Sequence, residues 1–207
     1  MNSYLIDKKF AAENLINTIH NEEKIFENLS NKFSTLKKVF DHLFWDYSSS
    51  DMHEDFNERQ VQHKFIQMSK FAKENDLAGK KTELDSLVKS ILAKEDSMNS
   101  LSMSLLQIAK QGISTVHGNP ANCPIGRSIG SENLKNVIWQ GRNQAIHCEE
   151  GNPNQRVKDC FENLRTDFGN EYDLATDYME NRARKIVDLL GWNLYGNYES
   201  DMISLIG

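Results

Sequence analysis

Proline and cysteine are scarce in this chain of 207 residues, with three of each, and glycine occurs only eleven times. The cysteines, Cys123, Cys148 and Cys160, are odd in number and form no C-x-x-C pair. That argues against a disulfide scaffold or a zinc ribbon and points to a reducing cytoplasm. Long apolar runs are missing as well. No stretch approaches the roughly eighteen uninterrupted apolar residues of a membrane span, and the opening MNSYLIDKKFAAEN lacks the apolar core of a signal peptide. A cytoplasmic protein with no membrane attachment is the expectation. There is no excess of positive charge: the formal net charge is −6. This disfavours non-specific grip on a long duplex while leaving room for a local nucleic-acid site. The common catalytic signatures are also lacking. There is no Gly-rich phosphate loop, no G-x-S-x-G and no H-E-x-x-H, and none of the six histidines has an acidic residue three positions before it. Neither a metal nor a cofactor is expected.

Apolar and charged residues make up 39% and 26% of the chain, a balance suited to long amphipathic helices with wide wet faces. Composition shifts near position 118. Before it lie no proline and only Gly79 and Gly112; after it lie all the prolines and Arg127, Arg142, Arg156, Arg165, Arg182 and Arg184. Ile16, Ile19, Phe26, Leu29, Phe33, Leu36, Phe40 and Leu43 form a heptad-type seam, which predicts a first helix from about residue 10 to 46. The polar run Ser48-Ser49-Ser50-Asp51 should end it. A second helix is predicted over 56–74 on Val61, Phe65, Met68 and Phe71 or Ala72, broken by Gly79. Thr82 is the expected N-cap of a third, on Leu84, Leu87, Ile91, Met98, Leu101, Leu105 and Ile108, ending near His117-Gly118-Asn119-Pro120. The segment 119–130 reads as the one long irregular loop. Ser131 is the expected cap of a fourth helix, with a fifth from Pro153 to about Phe168 and a sixth from about Asp173 to Leu190. No convincing period-two alternation and no fixed repeat appears, so the fold class is all-α: a bundle of about six helices in one domain over 1–207. Residues 1–55 read as a long N-terminal helical extension and 58–190 as the bundle core.

One segment concentrates chemistry: Asn136-Val137-Ile138-Trp139-Gln140-Gly141-Arg142-Asn143-Gln144-Ala145-Ile146-His147. Asn143 and His147 are four apart, so they share a helix face and the amide can fix the imidazole tautomer. Arg142 is a two-pronged anion binder. His147 is the side chain whose ordinary pKa suits proton transfer near neutrality. Gly141 in mid-helix costs about 1 kcal/mol relative to alanine, which suggests that a backbone or a ligand approaches it. The competing structural readings are a surface salt bridge for Arg142, a C-terminal helix histidine favoured by the dipole for His147, and core for Trp139. His20, His42 and His63 lie on ordinary helices, and His53 reads as a solvated side chain in an acidic stretch.

Arg142-Asn143 followed, after three more residues, by His147 in a helical chain resembles the signature of the HEPN superfamily: arginine, a polar residue, and histidine after an interval of four to six. The resemblance covers roughly residues 58–190 and implies an all-α fold. It also implies a metal-independent endoribonuclease that acts as a homodimer, in a toxin–antitoxin, CRISPR or phage-defence setting. Arg142, Asn143 and His147 would then be catalytic, with RNA as substrate and an antitoxin or defence protein as a further partner. Glu149 stands where the antitoxin-paired branch often carries a tyrosine. Trp139, Gln140 and Gln144 are the expected RNA contacts, and Gly141 the expected dimer contact.

The helix itself makes a demand. Five residues amount to about 7.5 Å of rise and about 140° of rotation, so Arg142 and His147 face different ways on an ideal helix. They converge on one phosphate only if the helix distorts or if two copies supply the pieces, and a composite site at a twofold axis answers this. The rival reading is a non-catalytic helical dimer that serves as a protein- or RNA-binding module, which the heptad stripe fits equally well.

Overall fold

The computed structural model describes residues 2–48 and 57–207. The acidic stretch around His53, and the polar run from Ser49 onward, lie outside the described residues. Among the described residues there are seven α-helices: α1 (Ser3–Ser48), α2 (Glu58–Glu74), α3 (Leu77–His117), α4 (Leu134–His147), α5 (Gln155–Phe168), α6 (Ala183–Leu189) and α7 (Tyr195–Ile206). A single antiparallel ribbon pairs β1 (Ser128–Ile129) with β2 (Glu132–Asn133), with Ser128 opposite Asn133 and Ile129 opposite Glu132. The all-α class is correct. No helix among the described residues is long and apolar enough to cross a membrane.

The chain forms two compact units, one of residues 2–23 with Asp96–Gly207 and one of Lys24–Glu95. The sequence reads residues 1–55 as an N-terminal extension, of which the first part joins the core of the first unit. Tyr4, Leu5, Ala12, Ile16 and Ile19 are buried there. Tyr4 Oη donates to Ile108 O at 2.8 Å, which ties α1 to α3. Trp192, Tyr198, Phe161, Leu105, Leu134 and Ile138 are fully buried around α4, which packs on α5 and α6. Replacing a residue such as Ile138 by alanine costs about 2–5 kcal/mol through lost transfer energy and the cavity left behind. In the second unit, Leu77, Leu84 and Leu87 are buried, and Lys32 pairs with Glu83 at 2.8 Å. The seam residues Phe26 to Leu43 there are only half-buried.

Several boundaries differ from the sequence reading, each for a local reason. The break between α2 and α3 is Asn75-Asp76, not Gly79. Asp76 takes a left-handed backbone (φ 47°), and its carboxylate accepts from the Gly79 N–H, capping α3. A Cβ on Gly79 would press on that carboxylate, so a larger residue there would displace the cap. Thr82 is inside α3 and donates its hydroxyl to Ala78 O at 3.0 Å. Asn133, not Ser131, caps α4, accepting from Asn136 N at 3.0 Å. Ser131 sits at the ribbon's turn and donates its N–H and hydroxyl to Asp167 at 2.7 and 2.6 Å. The expected sixth helix over 173–190 is only Ala183–Leu189. The buried Arg182 guanidinium donates to the carbonyls of Asp173 and Asp177 and to Thr176 Oγ1, holding 173–177 as an irregular wrap around it. The seventh helix, α7, lies beyond the last predicted element.

Candidate functional site

Helix α4 has two faces. Leu134, Val137, Ile138, Gly141, Gln144 and Ala145 are buried at the three-and-four spacing of a core stripe. Asn136, Gln140, Asn143 and His147 step by four, three and four along the helix beside it. The side chains of Asn136, Gln140 and Asn143, with Arg142 at one end and Glu132 at the other, form a directed string of hydrogen bonds. Arg142 Nη1 donates to Asn143 Oδ1 at 3.2 Å and Asn143 Nδ2 to Gln140 Oε1 at 3.4 Å. Gln140 Nε2 then donates to Asn136 Oδ1 at 3.1 Å, and Asn136 Nδ2 to Glu132 Oε2 at 2.7 Å. The string runs from a cation to a carboxylate, so each amide is oriented and its oxygen–nitrogen assignment fixed by its neighbours. Asn163 of α5 donates to the other Glu132 oxygen at 2.8 Å and anchors the acidic end. At the basic end, Arg142 Nε donates to Gln107 Oε1 of α3 at 2.6 Å. Partial burial pulls the Arg142 guanidinium below the usual arginine value.

His147 is the last residue of α4. A 3₁₀ turn at Cys148–Glu150, closed by Gly151 in the left-handed region, folds Glu150 back onto it. His147 Nδ1 and Glu150 Oε1 are 2.7 Å apart. Facing a carboxylate oxygen, Nδ1 is the donor of this pair, and Nε2 is the ring nitrogen left for a ligand. The imidazole is 52% exposed. It lines a cavity of about 230 Å³ with Asn143, Glu150, Asn154 and Tyr178. A reachable ring paired with a carboxylate in this way is chemically able to transfer a proton.

The predicted residues divide as follows. Asn143 faces the same cavity as His147, but its amide is engaged with Arg142 and Gln140, so the partner that orients the imidazole is Glu150. Arg142 turns to α3 and is not among the residues lining the His147 cavity. One copy of the chain does not join the two. Gln144 is buried, donates to Glu180 O at 2.7 Å and accepts from Arg182 N at 3.0 Å. It clamps the segment before α6 with one N–H and one oxygen lone pair of its amide, and it also lines the His147 cavity. Gln140 is also largely buried within the string, although it lines a neighbouring cavity with Trp139. Trp139 is partly buried against the core, and Lys110 Nζ lies 4.5 Å from its ring centroid. Gly141 is buried, and a Cβ there would lie 2.9 Å from Ile186 Cγ2 of α6. The close approach at this glycine is therefore within the chain, and a dimer contact is not needed to explain it.

Glu150 is the site residue that the sequence alone does not single out. The signal for Glu150 is its position three residues after His147, one turn along the same face. Among the described residues, no three His, Cys, Asp or Glu side chains are grouped as a metal site would require. No protein-family model matches the chain, and neither the curated proteins nor the solved structures yield a match.

Proposed function

We propose that the chain is a metal-independent endoribonuclease of HEPN type that works as a homodimer. The observation that carries this reading is the His147–Glu150 pair, 2.7 Å apart at the mouth of a cavity lined by amides. His147 Nε2 takes the proton of a ribose 2′-hydroxyl. The 2′-oxygen bonds to phosphorus, the bond from phosphorus to the 5′-oxygen breaks, and that oxygen receives its proton from an imidazolium. The products are a 2′,3′-cyclic phosphate and a 5′-hydroxyl, and DNA, lacking the 2′-hydroxyl, is not a substrate. Arg142, held by Gln107, stabilises the charge that develops on the phosphate when a second copy brings it opposite His147. Asn143 keeps Arg142 and the amide string in place. The setting in the cell, on this reading, is a toxin–antitoxin or phage-defence system with an antitoxin or defence protein as partner.

The deciding experiment uses end-labelled RNA and the matching DNA in EDTA. Cleavage of the RNA alone, leaving cyclic phosphate and 5′-hydroxyl ends, is the expected result. A 5′-phosphate product, or activity that returns only with magnesium, overturns the mechanism.

A second reading has an observation of its own. In the unit Lys24–Glu95, Trp45, Phe44 and Phe65 are 66%, 49% and 53% exposed. Such a surface suits a non-catalytic protein-binding module, and that reading is favoured if no RNA of any sequence is cut.

A further inference from the structure

The His147 cavity does not end at Asn143. It shares Asn143 and Asn154 with a second cavity of about 400 Å³, which in turn shares Trp139, Gln140 and Arg156 with a third of about 410 Å³. The three make one groove beside α4, from the loop at Pro120 to His147. The second and third cavities are each of the size that takes small ligands. Their charged lining residues are Lys135 and Arg156, with no carboxylate. In a chain of net charge −6, a stretch of groove lined by cations alone is a local reversal of sign.

Arg156 is exposed on the first turn of α5 and has no hydrogen bond or ion pair among the described residues. Other arginines of the same unit are paired: Arg127 with Asp201, Arg165 with Glu162, Arg182 with Glu180, and Arg184 with Glu23. Its guanidinium is therefore available to a ligand, and phosphate is the partner that its fork geometry suits. Trp139 lines both cavities with it, and Lys110 adds a cation beside the indole. Along the same path Asn154 keeps its amide N–H groups, its oxygen alone being used to accept from Val157 N at 3.1 Å, whereas Asn136 and Asn143 are engaged in the string along α4.

We propose that this groove is the path of a single RNA strand, with Arg156 as its phosphate contact and the Trp139 indole as the surface on which a base stacks. An indole beside a free cation is the pairing with which proteins hold single strands. Unstacked bases, unlike those of a duplex, present their edges to such an amide. The inference rests on the nuclease reading, since it leads the strand to His147, but it is measured separately from cleavage.

The experiment is fluorescence anisotropy of the full chain with a fluorescein-labelled 2′-O-methyl oligoribonucleotide of about ten residues, which cannot be cut because its 2′-oxygen is blocked. Arg156→Gln should weaken binding about tenfold at low salt. It should also reduce the slope of log affinity against log salt by about 0.7, the signature of one lost phosphate contact on a single strand. Arg156→Glu should weaken binding further, and both variants should melt with the wild type because the side chain is exposed. Trp139→Leu, checked by its melting curve, should cost about fivefold or more. Wild-type affinity in both Arg156 variants overturns the proposal, as does equal competition by polyglutamate, which would mark a mere anion site. RNA cleavage that proceeds unchanged in Arg156→Gln removes this inference and leaves the nuclease. Strand binding that depends on Arg156 in a protein that never cleaves removes the nuclease and leaves the groove.

Discussion

Arg142 and His147 stand five residues apart on one helix and are held by partners in different places. Arg142 Nε donates to Gln107 Oε1 of α3 at 2.6 Å, and His147 Nδ1 lies 2.7 Å from Glu150 in the turn that ends α4. The helix does not distort to bring them together. The proposed nuclease therefore calls for a composite site, with Arg142 from one copy and His147 from another.

That division sets the order of effects expected from mutation. His147→Ala should reduce RNA cleavage by roughly 10²–10⁴, the usual worth of general acid–base help. Glu150→Gln keeps the shape and removes the charge that orients the ring, so it should cost about tenfold or more and less than His147→Ala. Arg142→Lys should fail nearly as badly as Arg142→Ala, because an ammonium cannot hold Gln107 and a phosphate in one plane. Initial cleavage rates on one RNA, with melting curves for each variant, check the series. If His147→Ala lowers the melting temperature by several degrees and changes no rate, the histidine is structural. Mixing His147→Ala with Arg142→Ala should restore up to a quarter of the activity, since one of the two composite sites in a mixed dimer is then intact.

Much of the fold could be read from the sequence because its helices follow apolar stripes. Val157, Phe161 and Leu164 place α5, and Leu134, Val137 and Ile138 place α4, since each stripe faces a core. The misreadings fall where a polar side chain, not a stripe, decides the backbone. Arg182 gathers carbonyls that a helix would have used internally, and so 173–182 is not helical despite Leu174 and Tyr178 at helical spacing. Asp76 and Asn133 replace Thr82 and Ser131 as caps because capping depends on backbone geometry as well as residue type. At the site, His147 could be picked out by its chemistry. Its partner could not, because Asn143 and Glu150 are both within one turn of it, and only the 3₁₀ turn after Cys148 decides between them.

The acidic residue that binds α7 to the core gives a stability prediction. Asp201 is buried, accepts from Arg127 Nε and Nη2 at 2.7 and 2.9 Å, and accepts from Trp192 Nε1 at 2.8 Å. Asp201→Ala strands a buried indole N–H and unpairs the arginine, which should cost about 2–4 kcal/mol by denaturant unfolding. Arg127→Ala should cost less, because Trp192 keeps its acceptor. An Asp201→Ala variant as stable as the wild type would show that this triad does not secure α7.

The ribbon before α4 carries a pH dependence whose sign follows from its hydrogen bonds. The Ser131 hydroxyl and N–H both donate to Asp167, which holds its carboxyl below the usual aspartate value. The folded state therefore binds this proton less readily than the unfolded chain. The contribution is fully present above the ordinary aspartate pKa of about 3.9 and is lost as pH falls through the depressed folded value. An NMR titration of the Asp167 carboxyl carbon should give a midpoint below that of an unfolded peptide. In Ser131→Ala, with one of the two donors gone, the midpoint should move back up. A midpoint at the ordinary value would mean that the Ser131 contact does not persist in solution.

Gly141 tests whether the helix on which the site is built is packed within one copy. A Cβ at this position would lie 2.9 Å from Ile186 Cγ2 and 3.1 Å from Cγ1, closer than side chains settle without displacement. Two opposed effects follow from Gly141→Ala. Alanine is the better helix former by about 1 kcal/mol, whereas the added methyl overpacks the contact between α4 and α6 at a cost of about 1–3 kcal/mol. In the wild-type background the clash should win, and the variant should be no more stable than the parent. In an Ile186→Ala background the space is open, and the same substitution should become stabilising by roughly its helix propensity. The reversal is a coupling between two residues of one chain, so it should not change with protein concentration. A contact between copies predicts otherwise: Gly141→Ala would then raise the dissociation constant of the dimer in both backgrounds, and its effect on stability would fade on dilution. Denaturant unfolding of the four proteins at two concentrations separates the cases.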